Sequence, residues 1–239
     1  MDYKISIIIR TYNEQKHLSE VLESIKNQTY QNFEVIIVDS ESTDQTLDIA
    51  KRYEAQIIPI LKKDFNYSYS SNIGVKNASG DIICFLSGHS VPVNNDYLEK
   101  TNKIFQNEKI GACYGDVIAL EDGSIWEKIY NKLGYMKNII LKKNNGIKLE
   151  TKIHPGILSC SNASIRREIF DRHWFADKLG KKGGEDVEMA YRIIQDGFFI
   201  AQVPDLLVKH SHGSKLKKFL KELKNWKVMY GEVEDYINK

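Results

Sequence analysis

The sequence has little of several features that would define a class of protein. Its 239 residues include only three cysteines, Cys84, Cys113 and Cys160, which lie far apart in apolar or small-residue surroundings. This spacing argues against a disulfide framework and indicates reduced, buried thiols. We therefore expect a cytoplasmic protein.

Neither an excess of one charge nor a long apolar run is present. The chain has 34 basic and 32 acidic residues, for a net charge of +2, so we expect no nucleic-acid partner. No apolar stretch approaches the ~20 residues of a membrane span. Residues 1–4 lead directly into a strand without the layout of a signal peptide. Any membrane contact is expected to be peripheral, at the inner face.

What the first 86 residues do contain is an alternation of apolar runs and helical patterns. The apolar runs are residues 5–9, 33–38, 55–61 and 82–86. Asn13 is placed to cap the first helix, and Ser42 and Gln45 have the spacing of a capping box for the second. This order is the βαβ signature and predicts an α/β fold with a mainly parallel sheet flanked by helices.

The second half is less regular. The pattern predicts helices at 96–106, 124–141, 185–195 and 214–236, strands at 110–120, 198–203 and 206–209, a loop at 142–152, and strand with turn at 154–166. No linker separates two independent domains. We expect one domain, 1–239, with a nucleotide-binding half at 1–92, an acceptor-binding half at 93–213 and an amphipathic helix at 214–239.

Polar residues follow the ends of the predicted strands, where open α/β sheets place their ligands. The first strand leads into residues 10–14, which contain no G-x-G-x-x-G, so a dinucleotide-binding domain is disfavoured. The second ends at Asp39, a carboxylate suited to a ribose or a base imide and equally to a turn. The fourth ends in Ser87, Gly88 and His89.

In order and spacing, these segments resemble the family 2 glycosyltransferases of GT-A fold. The resemblance runs over nearly the whole chain and rests on residues 6–14, 38–44, 71–74, 78–81, 85–92, 184–186 and 210–212. It implies a Rossmann-like mixed sheet and an inverting transfer of a sugar from a UDP- or dTDP-sugar. The acceptor would be a saccharide or lipid-linked saccharide, in the assembly of surface polysaccharide.

The resemblance also implies a donor site, which makes 1–92 the nucleotide-sugar-binding half. The donor-binding residues would be Thr11, Tyr12, Asn13, Glu14, Asp39, Asn72, Gly74, Ser87 and Gly88. Asn72 lies where the family often has an Arg-Asn pair closing on the donor. Because Ser71 precedes it here, an arginine contact to the diphosphate is lost or supplied from elsewhere.

Gly184, Glu185 and Asp186 open a predicted helix. An inverting transfer needs a base for the attacking hydroxyl, and a carboxylate at a helix start is accessible to an acceptor. On the residues alone, the two acids could simply complement the helix dipole. The resemblance implies that Asp186 is the base and that Glu185 positions hydroxyl groups.

The largest departure from the family is at Ser87-Gly88-His89, where an Asp-x-Asp normally binds ribose and a metal. Magnesium prefers oxygen ligands, whereas imidazole suits ions from Mn²⁺ to Zn²⁺. We expect a divalent metal, Mn²⁺ before Mg²⁺, held by His89 and by His212, with His210 as the alternative. A metal-free site, with histidines and lysines neutralising the diphosphate, competes with this interpretation.

The C-terminal helix combines an apolar stripe that includes Phe219 and Trp226 with six lysines between 215 and 227. Such a helix can lie on an anionic membrane, or its stripe can pack on the domain.

Two other functions stay open for the whole chain. The loss of both acids of Asp-x-Asp would suit an inactive relative that binds a nucleotide sugar or a partner. A nucleotidyltransferase would need a glycine- and lysine-rich phosphate loop, which residues 10–13 are not.

Overall fold

A computed structural model describes residues 1–140, 146–181 and 183–238. In these ranges the strands are β1 (Ile5–Thr11), β2 (Phe33–Asp39), β3 (Gln56–Pro59), β4 (Ile82–Ser87), β5 (Val91–Pro92), β6 (Ile110–Ile118), β7 (Lys148–Glu150), β8 (Asn162–Arg166) and β9 (Phe199–Lys209). The helices are α1 (Leu18–Lys26), α2 (Thr46–Arg52), α3 (Tyr67–Asn77), α4 (Tyr97–Ile104), α5 (Ile125–Ile140), α6 (Arg167–Phe170), α7 (Glu185–Gln195) and α8 (Leu216–Ile237), with a 3₁₀ turn at Lys62–Asp64.

All these strands join one mixed sheet in the order β3-β2-β1-β4-β8-β6-β9-β5, with β7 pairing on β9. The strands of the first half, β3, β2, β1 and β4, pair in parallel. Antiparallel pairs enter with β8, which lies between β4 and β6, and with β5 and β7 on β9. The predicted α/β class with a mixed sheet flanked by helices is confirmed.

The core lies on both faces of this sheet. Side chains alternate along a strand, so Ile5, Ile7 and Ile9 of β1 face α1, α2 and α4, while Ile8 faces α3 and α7. All four isoleucines are fully buried. The unbroken apolar run in β1 is therefore explained by burial on two faces, as in parallel sheets generally.

Several local predictions are wrong. Asn13 does not cap α1; it has a positive φ of 54°, and its side chain accepts a hydrogen bond from Thr43 N–H. The Ser42–Gln45 capping box does not form, because the Ser42 hydroxyl donates to Asp39 and Gln45 makes no side-chain cap.

The predicted loop at 142–152 is also corrected in part. Lys148–Glu150 of this segment forms β7. Residues 142–145 of the predicted loop lie outside the described ranges, and so does residue 141 of the predicted helix 124–141. The two short strands predicted at 198–203 and 206–209 are one strand, β9.

The three cysteines are buried and unpaired, as predicted. Within the described ranges, no helix combines the length and apolar character that crossing a membrane requires.

Candidate active site

The site lies at the carboxyl ends of β1, β2 and β4. The register of the sheet places Arg10 beside Ser87 and Thr11 beside Asp39. A cavity of about 610 Å³ opens there. Its walls come from the ends of β1 and β4, from the start of α7, from the segment after β9 and from α5 and α8.

Four of the predicted donor-binding residues line this cavity: Thr11, Tyr12, Glu14 and Ser87. Asp39 lies just behind them and is buried. Its carboxylate accepts hydrogen bonds from the Thr11 hydroxyl at 2.8 Å and from the Ser42 hydroxyl at 2.6 Å and Ser42 N–H at 2.9 Å. Asp39 therefore fixes the loop that Asn13 also contacts.

The structure does not bring Asn72 or Gly74 to the cavity wall. The Asn72 amide bonds to the backbone of Phe175, and a Cβ at Gly74 would lie 2.5 Å from the Ile8 side chain. Both positions thus pack α3 against its neighbours. Gly88 differs, because a Cβ there would lie 2.5 Å from Glu14. Glycine at position 88 lets the Glu14 carboxylate reach the site.

Glu185 and Asp186 begin α7 at the cavity. Gly183 and Gly184 precede them with positive φ angles of 89° and 98°, a conformation that favours glycine. Asp186 is half-buried and accepts a 2.8 Å bond from Val187 N–H. Glu185 is buried, and its Oε2 has no hydrogen-bond partner within the described chain.

The environment raises the pKa of both carboxyl groups. Burial is the main cause for each, and the negative charge of Asp186 adds to the rise in the pKa of Glu185. The Arg10 guanidinium opposes the rise at both residues, and backbone N–H donors also oppose it at Asp186. Carboxyls with raised pKa values in a cavity are candidates for proton transfer.

Arg10 is a site residue in the segment 10–14 for which the sequence pattern predicted no role. Its guanidinium donates to the Ser71 hydroxyl and to the Tyr67 carbonyl, each at 3.2 Å, and lies 3.8 Å from a Glu185 oxygen. Among the described residues that line the cavity, it is the single arginine or lysine. Ser71 was the available signal for this role of Arg10. The resemblance implies an arginine contact at position 71, and a serine there indicates that any such arginine comes from another segment.

The three predicted metal ligands meet at the cavity. One ring nitrogen from each of His89, His210 and His212 lies within 4.8 Å of the others. The rings of His89 and His210 stack with centroids 4.6 Å apart. Burial lowers the pKa of His210 and His212, and the neighbouring His89 adds to both shifts.

Two of the imidazoles, those of His89 and His210, are held by partners that the sequence did not reveal. Nδ1 of His89 lies 3.1 Å from both Glu14 oxygens, which leaves Nε2 of His89 buried without a hydrogen-bond partner in the described structure. Nδ1 of His210 lies 3.1 Å from the Ser87 hydroxyl and 3.0 Å from that of Ser90.

The third histidine is positioned through its backbone, since His212 N–H donates to Glu127 at 2.8 Å. Burial alone would raise the pKa of Glu127, but hydrogen bonds donated by His212 and Ser124 outweigh it and hold this pKa below the ordinary glutamate value.

Comparison with known proteins identifies a family model and several relatives that this sequence matches. The sequence model described as glycosyl transferase family 2 matches residues 6–174. The O-antigen chain rhamnosyltransferase RfbN of Salmonella typhimurium is 30% identical over 212 residues, covering 87% of this chain and 67% of the relative. The dolichyl N-acetyl-alpha-D-glucosaminyl phosphate 3-beta-D-2,3-diacetamido-2,3-dideoxy-beta-D-glucuronosyltransferase of Methanococcus voltae is 27% identical over 233 residues, covering 91% and 70%.

A solved structure shows the same fold. Mannosyltransferase PcManGT from Pyrobaculum calidifontis, in complex with GDP-Man and Mn²⁺, matches with a TM-score of 0.64 at 21% identity, covering 88% of this chain and 57% of that one. The mixed sheet is thus of the GT-A type. The family match spans more than half of the sequence, and the chain belongs to glycosyl transferase family 2. It spans about two thirds of the length of the two relatives.

Proposed function

We propose that this chain transfers a sugar, with inversion, from a nucleoside-diphosphate donor to a hydroxyl of a saccharide or lipid-linked saccharide. The observation that carries the proposal is the position of Asp186. It is a half-buried carboxylate with a raised pKa that lines a cavity, and the strand ends of 1–92 and the later segments line this cavity together. That arrangement supports a donor half at 1–92 and an acceptor half at 93–213.

Asp186 takes the proton of the acceptor hydroxyl as the oxygen attacks the anomeric carbon. The new carbon–oxygen bond forms on the face opposite the diphosphate, the bond from the anomeric carbon to the diphosphate oxygen breaks, and the nucleoside diphosphate leaves with the electron pair. Glu185, beside it and paired with Arg10, positions hydroxyl groups.

The donor lies along the ends of β1, β2 and β4 in this proposal. Thr11, Tyr12 and Glu14 line the cavity there, and Asp39 and Asn13 fix the loop behind them. Ser71 carries no positive charge for the diphosphate, and Arg10 supplies it instead. Its guanidinium is in position to do so, because it already lies against the Ser71 hydroxyl. The proposed donors are UDP- or dTDP-sugars.

The three histidines fit a divalent transition metal. The fit is supported by the orphaned Nε2 of His89, by the close approach of the three ring nitrogens and by the Glu14 carboxylate on the other nitrogen of His89. A carboxylate on the far side of a ligating histidine is the usual arrangement in metal sites. When bound, the ion would neutralise charge on the leaving diphosphate. PcManGT, whose structure contains Mn²⁺, favours manganese.

The relatives support the proposed acceptor. One is named as an O-antigen chain rhamnosyltransferase and another as acting on a dolichyl-linked sugar phosphate. These names favour a role in surface polysaccharide assembly with a lipid-linked saccharide. The buried, unpaired cysteines support the cytoplasmic location.

The function is tested with a panel of UDP-, dTDP- and GDP-sugars, with and without Mn²⁺. Thermal shift identifies the donor that binds, and NMR of the product from that donor and a saccharide acceptor reports the anomeric configuration. We expect one donor to stabilise the protein and to give the inverted linkage. Binding without transfer to any acceptor would indicate the inactive relative, and no binding would contradict the proposal.

The metal is tested by calorimetry of Mn²⁺ with the protein alone, and by transfer in excess EDTA before and after each metal is restored. His89→Ala should abolish the binding of Mn²⁺, whereas His173→Ala, which removes a histidine bonded to Asp196, should not change it. Full transfer in EDTA would contradict the metal proposal while leaving the transferase proposal intact.

A further inference from the structure

Helix α5 has its polar face inward and its apolar face outward. Glu127, Asn131 and Asn138 turn toward the domain, where Glu127 is 5% exposed and bonds to His212 N–H, Asn138 donates to Asp116, and Asn131 lines the cavity. Tyr130 and Ile139 of α5 are also exposed, and they lie to either side of six exposed apolar residues on its outward face: Ile125, Trp126, Ile129, Leu133, Met136 and Ile140. We name these six residues the outer stripe. Leu133 is 62% exposed and Ile140 is 77% exposed.

The arrangement follows from the helical repeat. At about 100° per residue, the outer stripe occupies an arc of roughly 100°, and the three inward polar residues lie on the opposite side. Apolar residues on one arc of a helix normally face a core. Here that arc faces away from the domain, because the inward side is used to hold the site.

Lysines surround this surface. Lys132 and Lys137 flank the outer stripe on its two sides, and Lys128 lies one residue before Ile129. Helix α8 contacts α5 through the rings of Tyr130 and Phe219, 5.6 Å apart, and exposes Leu216 and Leu220. Across 125–140 and 215–227, nine exposed lysines stand against two glutamates, Glu127 and Glu222. The chain as a whole has a net charge of only +2.

The same surface continues into the cavity. Tyr130 and Asn131 of α5 and Phe219 and Trp226 of α8 are part of its wall. Whatever covers the outer stripe therefore lies beside residues that form the wall of the cavity containing Asp186.

We propose that α5, together with the first half of α8, docks on an anionic lipid bilayer, with the outer stripe in the interface and the lysines against the headgroups. An apolar face bordered by lysines, with a tryptophan among its apolar residues, has the composition of interfacial helices. The charge distribution favours this occupant over a second copy, because two such lysine-rich faces would repel each other. The inference deepens the proposed function, on which it rests, by making the acceptor one anchored in that bilayer.

Two tryptophans provide a matched pair for the first test. Trp126 belongs to the outer stripe and is 43% exposed, whereas Trp174 packs on Phe170 elsewhere and is 41% exposed. One protein keeps only Trp126, through Trp174→Phe and Trp226→Phe, and the other keeps only Trp174. With vesicles of brominated phosphatidylglycerol, we expect quenching of Trp126 and little quenching of Trp174. Equal quenching, or none, would overturn the inference.

Flotation with phosphatidylglycerol vesicles gives the second test. Leu133→Glu should weaken binding about ten- to a hundred-fold, the effect of losing one buried leucine from the interface. Lys221→Glu with Lys224→Glu should weaken it more than Lys100→Glu with Lys103→Glu on α4, which changes the net charge equally. Undiminished flotation of Leu133→Glu would overturn the inference, as would a dimer in sedimentation that this variant dissociates.

Transfer to a water-soluble saccharide separates this inference from the proposed function. Leu133 does not line the cavity in the described structure, so Leu133→Glu should retain that activity. Loss of flotation with retained transfer is the expected result. If no form of the protein transfers sugar but the wild type still floats, the proposed function fails and the docking surface stands.

Discussion

Single residues set the charge of the site, and Arg10 is the clearest case. Its guanidinium lies 3.8 Å from Glu185 and lowers the pKa of Glu185 and Asp186 against the effect of burial. A base must be deprotonated to accept a proton, so Arg10 widens the pH range in which Asp186 can act.

Arg10→Gln should therefore move the acid limb of the transfer rate to higher pH. Removing the positive charge raises the pKa of both carboxyls further, and the base is then protonated at pH values where the wild type is active. The nearby Cys160 does not titrate in this range, since burial holds its pKa well above the ordinary thiol value. The rate of transfer is measured against pH.

Arg10→Lys is the control, because it keeps the charge and should keep the acid limb near its wild-type position. A rate that falls equally at every pH in Arg10→Gln, with no shift of the limb, would show that Arg10 does not set the pKa of the base.

A substitution of Asp39 can separate two roles of its carboxylate, which are to hold its loop and to bind the donor. Asp39→Ala leaves the hydroxyls of Thr11 and Ser42 without their acceptor, so the free energy of unfolding in urea should fall by about 1–3 kcal/mol. If Asp39 also contacts the donor, the dissociation constant from calorimetry should rise as well.

The exposed Asp48→Ala on α2 serves as the control for Asp39 and should change neither quantity. Lower stability with an unchanged dissociation constant would make Asp39 only a loop residue.

Residue types and positions explain how much of the site could be predicted. Asp186, Glu185 and the three histidines stand in short motifs at element ends, and the structure brings them to one cavity. Arg10 and Glu127 were missed because their partners, Glu185 and His212, are 175 and 85 positions away in the chain. Only the fold shows such pairs.

At the scale of elements, the start of α7 depends on two glycines in the left-handed region. Gly184 has a φ of 98°, and a Cβ there would lie 2.7 Å from Val233 of α8. The position therefore combines a backbone requirement with a packing requirement, and it aligns the turn that carries Asp186.

Gly184→Ala should lower the free energy of unfolding by more than the ~1 kcal/mol expected from a left-handed alanine alone, and should lower transfer. Gly197→Ala is the matched control, because its φ is 86° but a Cβ there has no neighbour within 4 Å in the described structure. Urea unfolding measures the difference. Equal losses in the two variants would refute the packing argument.

Strand β9 shows why element boundaries were harder to predict. Pro204 and Asp205 in its middle are typical of a break between strands, and the sequence predicts a break there. The strand continues because β6 has an irregular register between Gly115 and Val117. A Cβ at Gly115 would lie 1.6 Å from the Leu206 carbonyl, so only glycine permits this pairing.

At the scale of the whole molecule, one sheet places two kinds of chemistry at one cavity. The parallel strands end in the residues proposed for the donor, and the later segments add Asp186 and two of the histidines. The division into halves at 92 and 213 stays a prediction, but it agrees with this distribution. The sequence signal for the strands of the sheet was strong in the first half, where apolar runs alternate regularly with helical patterns. It was weak in the second half, where β8 and β7 are short and antiparallel.

The most direct test of the account is the rate of sugar transfer by Asp186→Asn, with donor binding measured by calorimetry on the same protein. The account predicts that transfer falls by ~10²–10⁴-fold, the usual contribution of a general base, while the donor dissociation constant stays near the wild-type value. The exposed Asp171→Asn should match the wild type in both. Near wild-type turnover by Asp186→Asn would contradict the account, because no base at the start of α7 would then be required.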